Sequence, residues 1–159
     1  MGAFSTLVER HWFPLVRFAR SVLGEADAED CVQDALLAAW TKLPGLRHPE
    51  AFGAWLHRIV ARRSFSRLRR DGRLTSLDLA GSSPDPVASS GTETVDVEQT
   101  LARLAPRQRA VMHLTVIEEM TDSEIAGALG ITAASVRSHR RRGREALLRA
   151  LTPHDQQGV

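Results

Sequence analysis

The chain has 159 residues and a net charge of +2, so it is long enough for one ordinary domain or two small ones. Its hydrophobic fraction of 43% permits a packed core, but the longest apolar run, at 35–40, is far shorter than the roughly 20 residues of a membrane-spanning helix. The N-terminus is charged where a signal peptide is apolar, so we expect a cytoplasmic protein without membrane insertion. Its one cysteine, Cys31, excludes a disulfide scaffold.

Residues that favour helix dominate the chain, and no stretch alternates apolar and polar side chains over the length of a strand. The sequence therefore predicts an all-α fold. In chain order, the predicted helices span residues 3–23, 27–42, 50–70, 94–104, 107–117, 122–129 and 133–150.

A change of composition separates the first three predicted helices from the rest. Eight of the eleven residues 81–91 are Gly, Ser or Pro, a composition that buries too little apolar surface to offset the entropy of the chain. We therefore expect two small helical domains joined by a flexible linker, the second containing a helix-turn-helix. The expected boundaries are a first domain at 1–73, an acidic linker at 74–93, a second domain at 94–153 and a disordered tail at 154–159.

The small net charge hides separate blocks of like charge. Residues 58–73 hold seven Arg and one acid, and residues 137–149 hold six Arg and one acid. Residues 21–41, by contrast, carry only acidic charges. Clustered charge attracts opposite charge, so the blocks indicate anionic partners at two places and a basic partner at a third. A solvated helix face is the alternative for any one block.

Three carboxylates share one face of the second predicted helix, because Asp27, Asp30 and Asp34 are spaced by three and four residues. No nearby His or Cys is placed to complete a metal site, so we expect no metal there and favour docking onto a basic protein surface. The sequence contains no catalytic triad order, phosphate-binding loop or metal-ligand spacing. We therefore expect neither enzyme activity nor a cofactor.

All eight aromatic residues lie in the first 65 positions. Proteins hold single-stranded nucleic acid in basic grooves with aromatic rings on which the bases stack. Phe52, Trp55 and Phe65 flank or lie within the arginine-rich block at 58–73, which makes the first domain the candidate single-strand binder. A place in the core is the alternative for these rings, above all for Trp55.

The second domain contains a helix-turn-helix motif. Residues Glu124–Ile131 and Thr132–Val136 have its spacing, and Gly130 suits the left-handed turn between the helices. Thr121 and Glu124 form a capping-box pattern at the start of the first helix. The second helix begins with short and basic side chains that fit a major groove, and the arginines that follow suit phosphate contacts. A purely structural helical hairpin is the alternative.

Together these motifs resemble those of an extracytoplasmic-function (ECF) sigma factor, the minimal class of the bacterial sigma-70 initiation factors. In the first domain the resemblance rests on Asp27-Ala-Glu-Asp30, Val32-Gln33-Asp34, Trp40, Phe52, Trp55-Leu56 and Arg58-Ile59. In the second domain it rests on Leu104-Ala-Pro106-Arg-Gln-Arg109, Glu124-Ile-Ala126, Leu129-Gly-Ile131, Ser135-Val-Arg-Ser138 and Arg142-Gly-Arg144. Each motif alone is weak, but their order, their spacing and the linker between them make the resemblance specific.

The resemblance implies that the first domain binds the clamp of core RNA polymerase and the −10 promoter element, and that the second binds the polymerase flap and the −35 element. The residues implied in clamp binding are Asp27, Asp30, Gln33, Asp34 and Leu37. Those implied at the −10 element are a base-capturing loop of Leu46, Arg47 and His48, together with Arg62, Ser66, Arg69 and Arg70. Those implied at the −35 element are Ser135, Arg137, Ser138, Arg141, Arg142 and Arg144.

Three places depart from the usual pattern of the family. Arg62 stands where Asn is common, Ser66 where Asp is usual, and His139-Arg140 where an Arg and an aliphatic residue are usual. We therefore expect Arg140 either to extend its charged end to solvent or to leave a thinner core contact.

The resemblance makes core RNA polymerase and promoter DNA the expected partners, and the flexible linker makes clamping of both domains by an anti-sigma factor feasible. Two other functions are alternatives. One is a stand-alone helix-turn-helix regulator that binds palindromic sites as a dimer, for which no self-association face is evident. The other is an adaptor that binds polymerase without DNA specificity, against which the arginine-rich helix argues.

Overall fold

The computed structural model describes residues 2–74 and 97–152, and every regular element within these two ranges is helical. The helices of the first domain are α1 (Gly2–Leu23), α2 (Glu25–Lys42) and α3 (Phe52–Arg70). Those of the second domain are α4 (Val97–Ala102), α5 (Pro106–Val116), α6 (Asp122–Leu129) and α7 (Ala133–Leu151). The predicted all-α fold is confirmed.

The observed helices differ from the predicted ones mainly at their ends. Short 3-10 turns at Leu43–Gly45 and Pro49–Ala51 precede α3, which therefore begins at Phe52 instead of residue 50. Pro14 lies inside α1, which continues to Leu23 although proline has no N–H to donate. Apart from residue 74, the predicted linker at 74–93 lies outside the described residues, as does the predicted tail at 154–159.

The three helices of the first domain pack against one another around buried apolar side chains. Leu15 and Phe18 of α1, Val32 of α2, and Leu56 and Val60 of α3 are fully buried. Within α1 and α3 these residues are three or four positions apart, so each helix presents one apolar face to its neighbours. Each such side chain contributes about 1.5 to 3 kcal/mol to stability through burial.

Local signals define the ends of α6 and α7. Thr121 Oγ1 accepts a hydrogen bond from the Glu124 N–H at 3.2 Å, and the Glu124 carboxylate accepts one from the Thr121 N–H at 2.8 Å, so the capping box is present. Gly130 ends α6 with φ of 66°, a conformation that glycine adopts without strain. Thr132 caps α7 by accepting from the Ser135 N–H at 3.1 Å. The helix-turn-helix forms as the sequence predicts.

The two domains are packed against each other. Helix α3 contacts α6, and α1 contacts α5. Buried side chains from both domains, among them Phe18, Val60, Leu114 and Ile125, form one continuous apolar cluster. The sequence left the relative placement of the domains open, and the structure puts the first helix of the helix-turn-helix beside α3.

Candidate nucleic-acid interface

The residues predicted at the −35 element lie along the first half of α7. Arg137 is 60% exposed, and Arg141 and Arg144 are exposed as well. These three arginines are spaced by four and three residues, so they share one face of the helix. The other three predicted residues, Ser135, Ser138 and Arg142, are partly buried. The structure thus groups the arginines into a basic face that is open to solvent.

Arg140 does not behave as expected from the sequence, because its guanidinium binds a carboxylate on the neighbouring helix. Its Nη1 and Nη2 donate to the two oxygens of Asp122, the first residue of α6, at 2.5 and 3.1 Å. The Arg140 side chain is only 22% exposed, and Arg137 Nη1 lies 3.9 Å from the same carboxylate. The hydrogen bonds from Arg140 hold the pKa of Asp122 below its usual value. Of the two alternatives expected for Arg140, the solvent-extended side chain was wrong, and the thinner core contact stays a prediction.

The residues predicted at the −10 element fall into two groups. Arg62, Ser66 and Arg69 of α3 are exposed, and they line a cleft of about 260 Å³ between the domains. The opposite wall of this cleft comes from the second domain, with Arg107 on α5 and Leu129 at the end of α6. A cleft of this volume is slightly smaller than the roughly 300 Å³ at which ligand pockets begin.

The second group consists of the predicted base-capturing loop and Arg70, none of which lines that cleft. Arg47, His48 and Arg70 are exposed, whereas Leu46 packs partly buried against the core of the first domain. His48 Nδ1 lies 3.1 Å from the Glu50 carboxylate, a contact between two exposed side chains. The structure therefore does not gather all the predicted −10 residues at one place.

The aromatic side chains proposed as a stacking platform lie mostly in the core. Phe52 and Phe65 are buried, and Trp55 is partly buried, with its ring centroid 5.7 Å from that of Phe52. The guanidinium of Arg107, from the second domain, lies 5.5 Å from the Phe65 ring. The expectation of an exposed platform was wrong for Phe52 and Phe65, because both rings fill space that the packed helices enclose.

The acidic residues of α2 form ion pairs within the chain. Arg67 of α3 donates to Asp30 at 2.9 Å and to Asp34 at 2.6 Å, and Arg73 Nη1 lies 3.6 Å from Asp27. The Asp30 side chain nevertheless stays 70% exposed. The carboxylates therefore remain available to an external partner while they connect α2 to α3.

The other two residues predicted to bind the clamp, Gln33 and Leu37, are exposed on α2, and the Leu37 side chain has 70% of its surface in contact with solvent. Trp40, one turn further along, is 48% exposed, with its ring centroid 4.7 Å from that of Phe4. The sequence analysis named Trp40 only as part of a family motif. Exposed large apolar side chains near carboxylates are a feature of protein-binding surfaces.

A cluster of buried polar side chains lies where the two domains meet. The Nε2 atoms of His57 on α3 and His113 on α5 each lie 3.5 Å from a different oxygen of the Glu118 carboxylate. The ring of Phe18 packs edge-on against both imidazoles, at centroid distances of 6.1 and 5.5 Å. His57 Nδ1 donates to the Gly53 carbonyl at 3.0 Å, which orients its Nε2 towards Glu118. This cluster connects α1, α3 and α5.

Burial has opposite effects on the acid and the base in this cluster. Burial holds the pKa of His57 below its usual value, and the Gly53 carbonyl and the Glu118 carboxylate offset that effect only in part. Burial raises the pKa of Glu118, but His113 and His57 outweigh it, so the net shift is downward. The sequence analysis missed this cluster. The one local sign of the cluster in the sequence is His57, which follows Leu56 on the apolar face of a predicted helix.

Within residues 2–74 and 97–152, no three His, Cys, Asp or Glu side chains are arranged so that they could hold a metal ion. None of the helices in the described ranges is long and apolar enough to cross a membrane.

Two family models match the chain. Residues 7–74 match Sigma-70 region 2, and residues 94–147 match Sigma-70, region 4. The first match covers nearly all of the first domain, and the second ends at residue 147, four residues before the end of α7. The boundary between the two matches falls in the stretch that composition marks as a linker.

The chain is also similar to individual proteins. It is 33% identical to the ECF RNA polymerase sigma factor SigM of Mycobacterium tuberculosis, over 94% of this chain and 77% of that protein. It is 34% identical to CnrH of Cupriavidus metallidurans. CnrH was solved in complex with the cytosolic domain of CnrY, and its structure matches this one with a TM-score of 0.65. This match covers 94% of this chain and 87% of that one. The sigma factor RpoE of Bartonella quintana, solved with the anti-sigma factor NepR, shares the fold, with 24% identity and a TM-score of 0.74 over 95% and 98% of the two chains.

Proposed function

The chain belongs to the ECF sigma factors of the sigma-70 type, and from this premise we propose how its two domains divide the recognition of a promoter. It is an RNA polymerase sigma factor, which binds core RNA polymerase and directs initiation at promoters. Sigma factors contribute binding and not catalysis to initiation. It acts in the cytoplasm with its polymerase, and its binding role needs no cofactor.

The second domain binds the −35 element as duplex DNA through α7. This assignment rests on one observation: the second helix of the helix-turn-helix has an exposed face that contains Arg137, Arg141 and Arg144. Arginine donates two hydrogen bonds to a guanine edge in the major groove and also binds phosphates, so one helix can both read and hold a duplex. Ser135, Ser138 and Arg142 complete the contact along the same part of α7.

The first domain binds the −10 element as an unpaired strand. Arg62, Ser66 and Arg69 offer guanidinium and hydroxyl donors along one side of α3, where they suit a sugar-phosphate backbone. The loop of Leu46, Arg47 and His48 takes a flipped base, and Arg70 adds a further phosphate contact. The departures at Arg62 and Ser66 give this surface more positive charge than the usual residues of the family provide.

The clamp of core polymerase binds α2. Leu37 supplies exposed apolar surface and Gln33 supplies amide hydrogen bonds, while Asp27, Asp30 and Asp34 supply negative charge for a basic partner surface. Because Arg67 already orients Asp30 and Asp34, these carboxylates are held in place before the polymerase arrives. The second domain also binds the flap of the polymerase.

We also propose that an anti-sigma factor binds this chain. The support is that RpoE, whose fold this chain shares, was solved with the anti-sigma factor NepR, and that CnrH was solved with the cytosolic domain of another protein, CnrY. A stand-alone regulator and a polymerase adaptor are not favoured, because the chain matches both promoter-binding regions of a sigma factor.

Run-off transcription on a genomic promoter library tests the proposed function. Core polymerase is assayed with and without the full chain at moderate salt, and binding of the chain to the core enzyme is measured in parallel. We expect discrete new transcripts whose start sites share two upstream elements. Core binding without new transcripts would support an adaptor instead, and absence of core binding, with a stable dimer in light scattering, would support a stand-alone regulator.

A further inference from the structure

Two arginines and one carboxylate lie together where the two helices of the helix-turn-helix meet. We propose that Asp122 determines how selectively α7 binds DNA, by fixing Arg140 between the helices and holding Arg137 near its own carboxylate. Arg140 is then a positioning residue, and Asp122 sets the balance between sequence-specific and non-specific binding. This inference rests on the proposed role of α7 at the −35 element.

The Asp122–Arg140 pair connects the two helices of the helix-turn-helix. Asp122 is the first residue of α6, where the positive end of the helix dipole favours a carboxylate. Arg140 binds both of its oxygens, at 2.5 and 3.1 Å, through a planar group that cannot rotate freely once two hydrogen bonds are made. The pair joins residues eighteen positions apart on crossing helices. It therefore fixes the rotation of α7 relative to α6, and with it the direction of the exposed arginines.

Asp122 also reduces the positive charge that α7 offers to phosphates. Residues 137–149 contain six Arg and one acid, so α7 has ample positive charge for phosphates. Each arginine that reaches a phosphate raises the affinity for every duplex alike and adds nothing to discrimination. Asp122 engages Arg140 directly and lies 3.9 Å from Arg137, so it withdraws positive charge from non-specific contact.

Arg137 is 60% exposed and so can still reach a base edge. A long side chain loses rotamer freedom when it binds. A neighbouring carboxylate that already restricts the side chain reduces this entropy cost for the rotamers that remain. Asp122 therefore favours those orientations of Arg137 in which the guanidinium stays close to the Asp122 carboxylate. An aliphatic residue at position 140, as is usual in the family, would leave Asp122 without this partner.

The test compares three variants with the wild-type chain in complex with core polymerase. Wild-type holoenzyme first selects its upstream element from a library of randomised duplexes, which yields one specific duplex and one scrambled duplex as probes. D122N removes the carboxylate charge, and R140M removes the guanidinium but keeps an apolar stem. E124Q is the matched control, because it removes one acid from the same helix while glutamine still completes the capping box. Binding to both probes is measured over a range of salt concentrations.

We expect D122N to bind the scrambled duplex roughly three- to tenfold more tightly at moderate salt, with a salt dependence steeper by about one to two ions. Its preference for the specific duplex falls. R140M also loses preference, but its affinity for the scrambled duplex does not rise, since this change removes a positive charge and leaves the Asp122 carboxylate beside Arg137. E124Q keeps the wild-type preference. Thermal unfolding of each variant establishes that the comparison is between folded proteins.

Equal effects of D122N and E124Q would overturn the inference, because net charge alone would then explain them. So would an unchanged preference in both D122N and R140M. These results differ from failure of the proposed function, in which wild-type holoenzyme selects no upstream element from the library. That result would overturn both the −35 assignment and the role of Asp122.

Discussion

The two candidate DNA surfaces of this protein differ in what lies opposite them. Arg137, Arg141 and Arg144 of α7 face solvent, whereas Arg62, Ser66 and Arg69 of α3 face the second domain across a narrow cleft. A duplex can therefore approach α7 as the domains stand. A strand laid along α3 would meet Leu129 and Arg107 of the second domain.

The proposed binding of the −35 duplex and the proposed binding of the −10 strand therefore differ in whether the domains must move. Binding of a −35 duplex at the proposed face of α7 needs no rearrangement of the described part of the chain, but full access to the proposed −10 residues of α3 requires the domains to move apart. The interface that must open contains both apolar contacts and the cluster of His57, His113 and Glu118.

The largest effect is expected for Phe18→Ala, which removes a ring that both domains share. Phe18 is fully buried and contacts His57 and His113 from opposite domains. Loss of a buried phenyl ring costs about 3 to 5 kcal/mol, and urea unfolding measures it. Phe13→Ala on the same helix is the control, since Phe13 is 75% exposed and its loss changes stability by less than about 0.5 kcal/mol. Similar losses in both variants would contradict the shared core.

Arg137→Ala and Arg141→Ala test the exposed arginine face of α7. Each is expected to weaken binding of the holoenzyme to its −35 element by about 1 to 3 kcal/mol while core binding stays intact, because α7 and not the polymerase interface is changed. Gel-shift titration measures the first quantity and co-elution with core polymerase the second. Arg149→Ala, in the last turn of the same helix, serves as the control. Loss of core binding in the first two variants would refute the division between the domains.

Arg107→Ala tests the cleft between the two domains, which Arg107 helps to line. The Arg107 guanidinium lies 5.5 Å from the Phe65 ring of the other domain, a cation–π contact of about 0.5 to 1 kcal/mol. We expect the domains to separate more readily, so the radius of gyration of the free chain in small-angle scattering increases. Arg103→Ala removes an exposed arginine of the same domain and should leave this radius unchanged. Identical radii for both variants would show that Arg107 does not hold the cleft.

The smallest effect is expected from pH. Burial lowers the pKa of His57, and it also lowers that of the neighbouring His11, where the positive charges of His57 and Arg10 add to it. The packed form therefore holds fewer protons on these groups than separated domains would, and packing weakens as pH falls below about 6.5. Glu118, whose pKa is lowered, loses its contribution only in more acidic solution.

Small-angle scattering of the free chain between about pH 7.5 and 5.5 measures this effect as an increase in the radius of gyration on acidification. His57→Gln, which cannot titrate, should show a smaller increase than the wild-type chain. An increase of the same size in both would remove His57 from the explanation.

The fold was largely predictable because its signals are local. The capping residues Thr121 and Thr132 and the left-handed Gly130 are read directly from neighbouring positions, and the observed ends of α6 and α7 agree with them. Polar–apolar spacing likewise located α2 and α5 to within about two residues.

The parts that the sequence did not predict all depend on contacts between distant segments. Arg140 meets Asp122 on another helix, Arg67 meets Asp30 and Asp34, and the burial of Phe65 involves a domain that lies beyond the linker. Spacing along one helix shows which side chains share a face, but it does not show which other element covers that face. The exposed α7 arginines were predictable because no other element covers that face in the described part of the chain.

The most direct test of this account compares the free full chain with the holoenzyme in binding a fluorescent single strand that carries the −10 element found by run-off transcription. The −35 duplex from the same promoter is measured alongside it at low salt. We predict that the free chain binds the duplex weakly and the single strand hardly at all, while the holoenzyme binds both. Binding of the single strand by the free chain with the affinity of the holoenzyme would contradict the claim that the packed domains restrict the −10 surface.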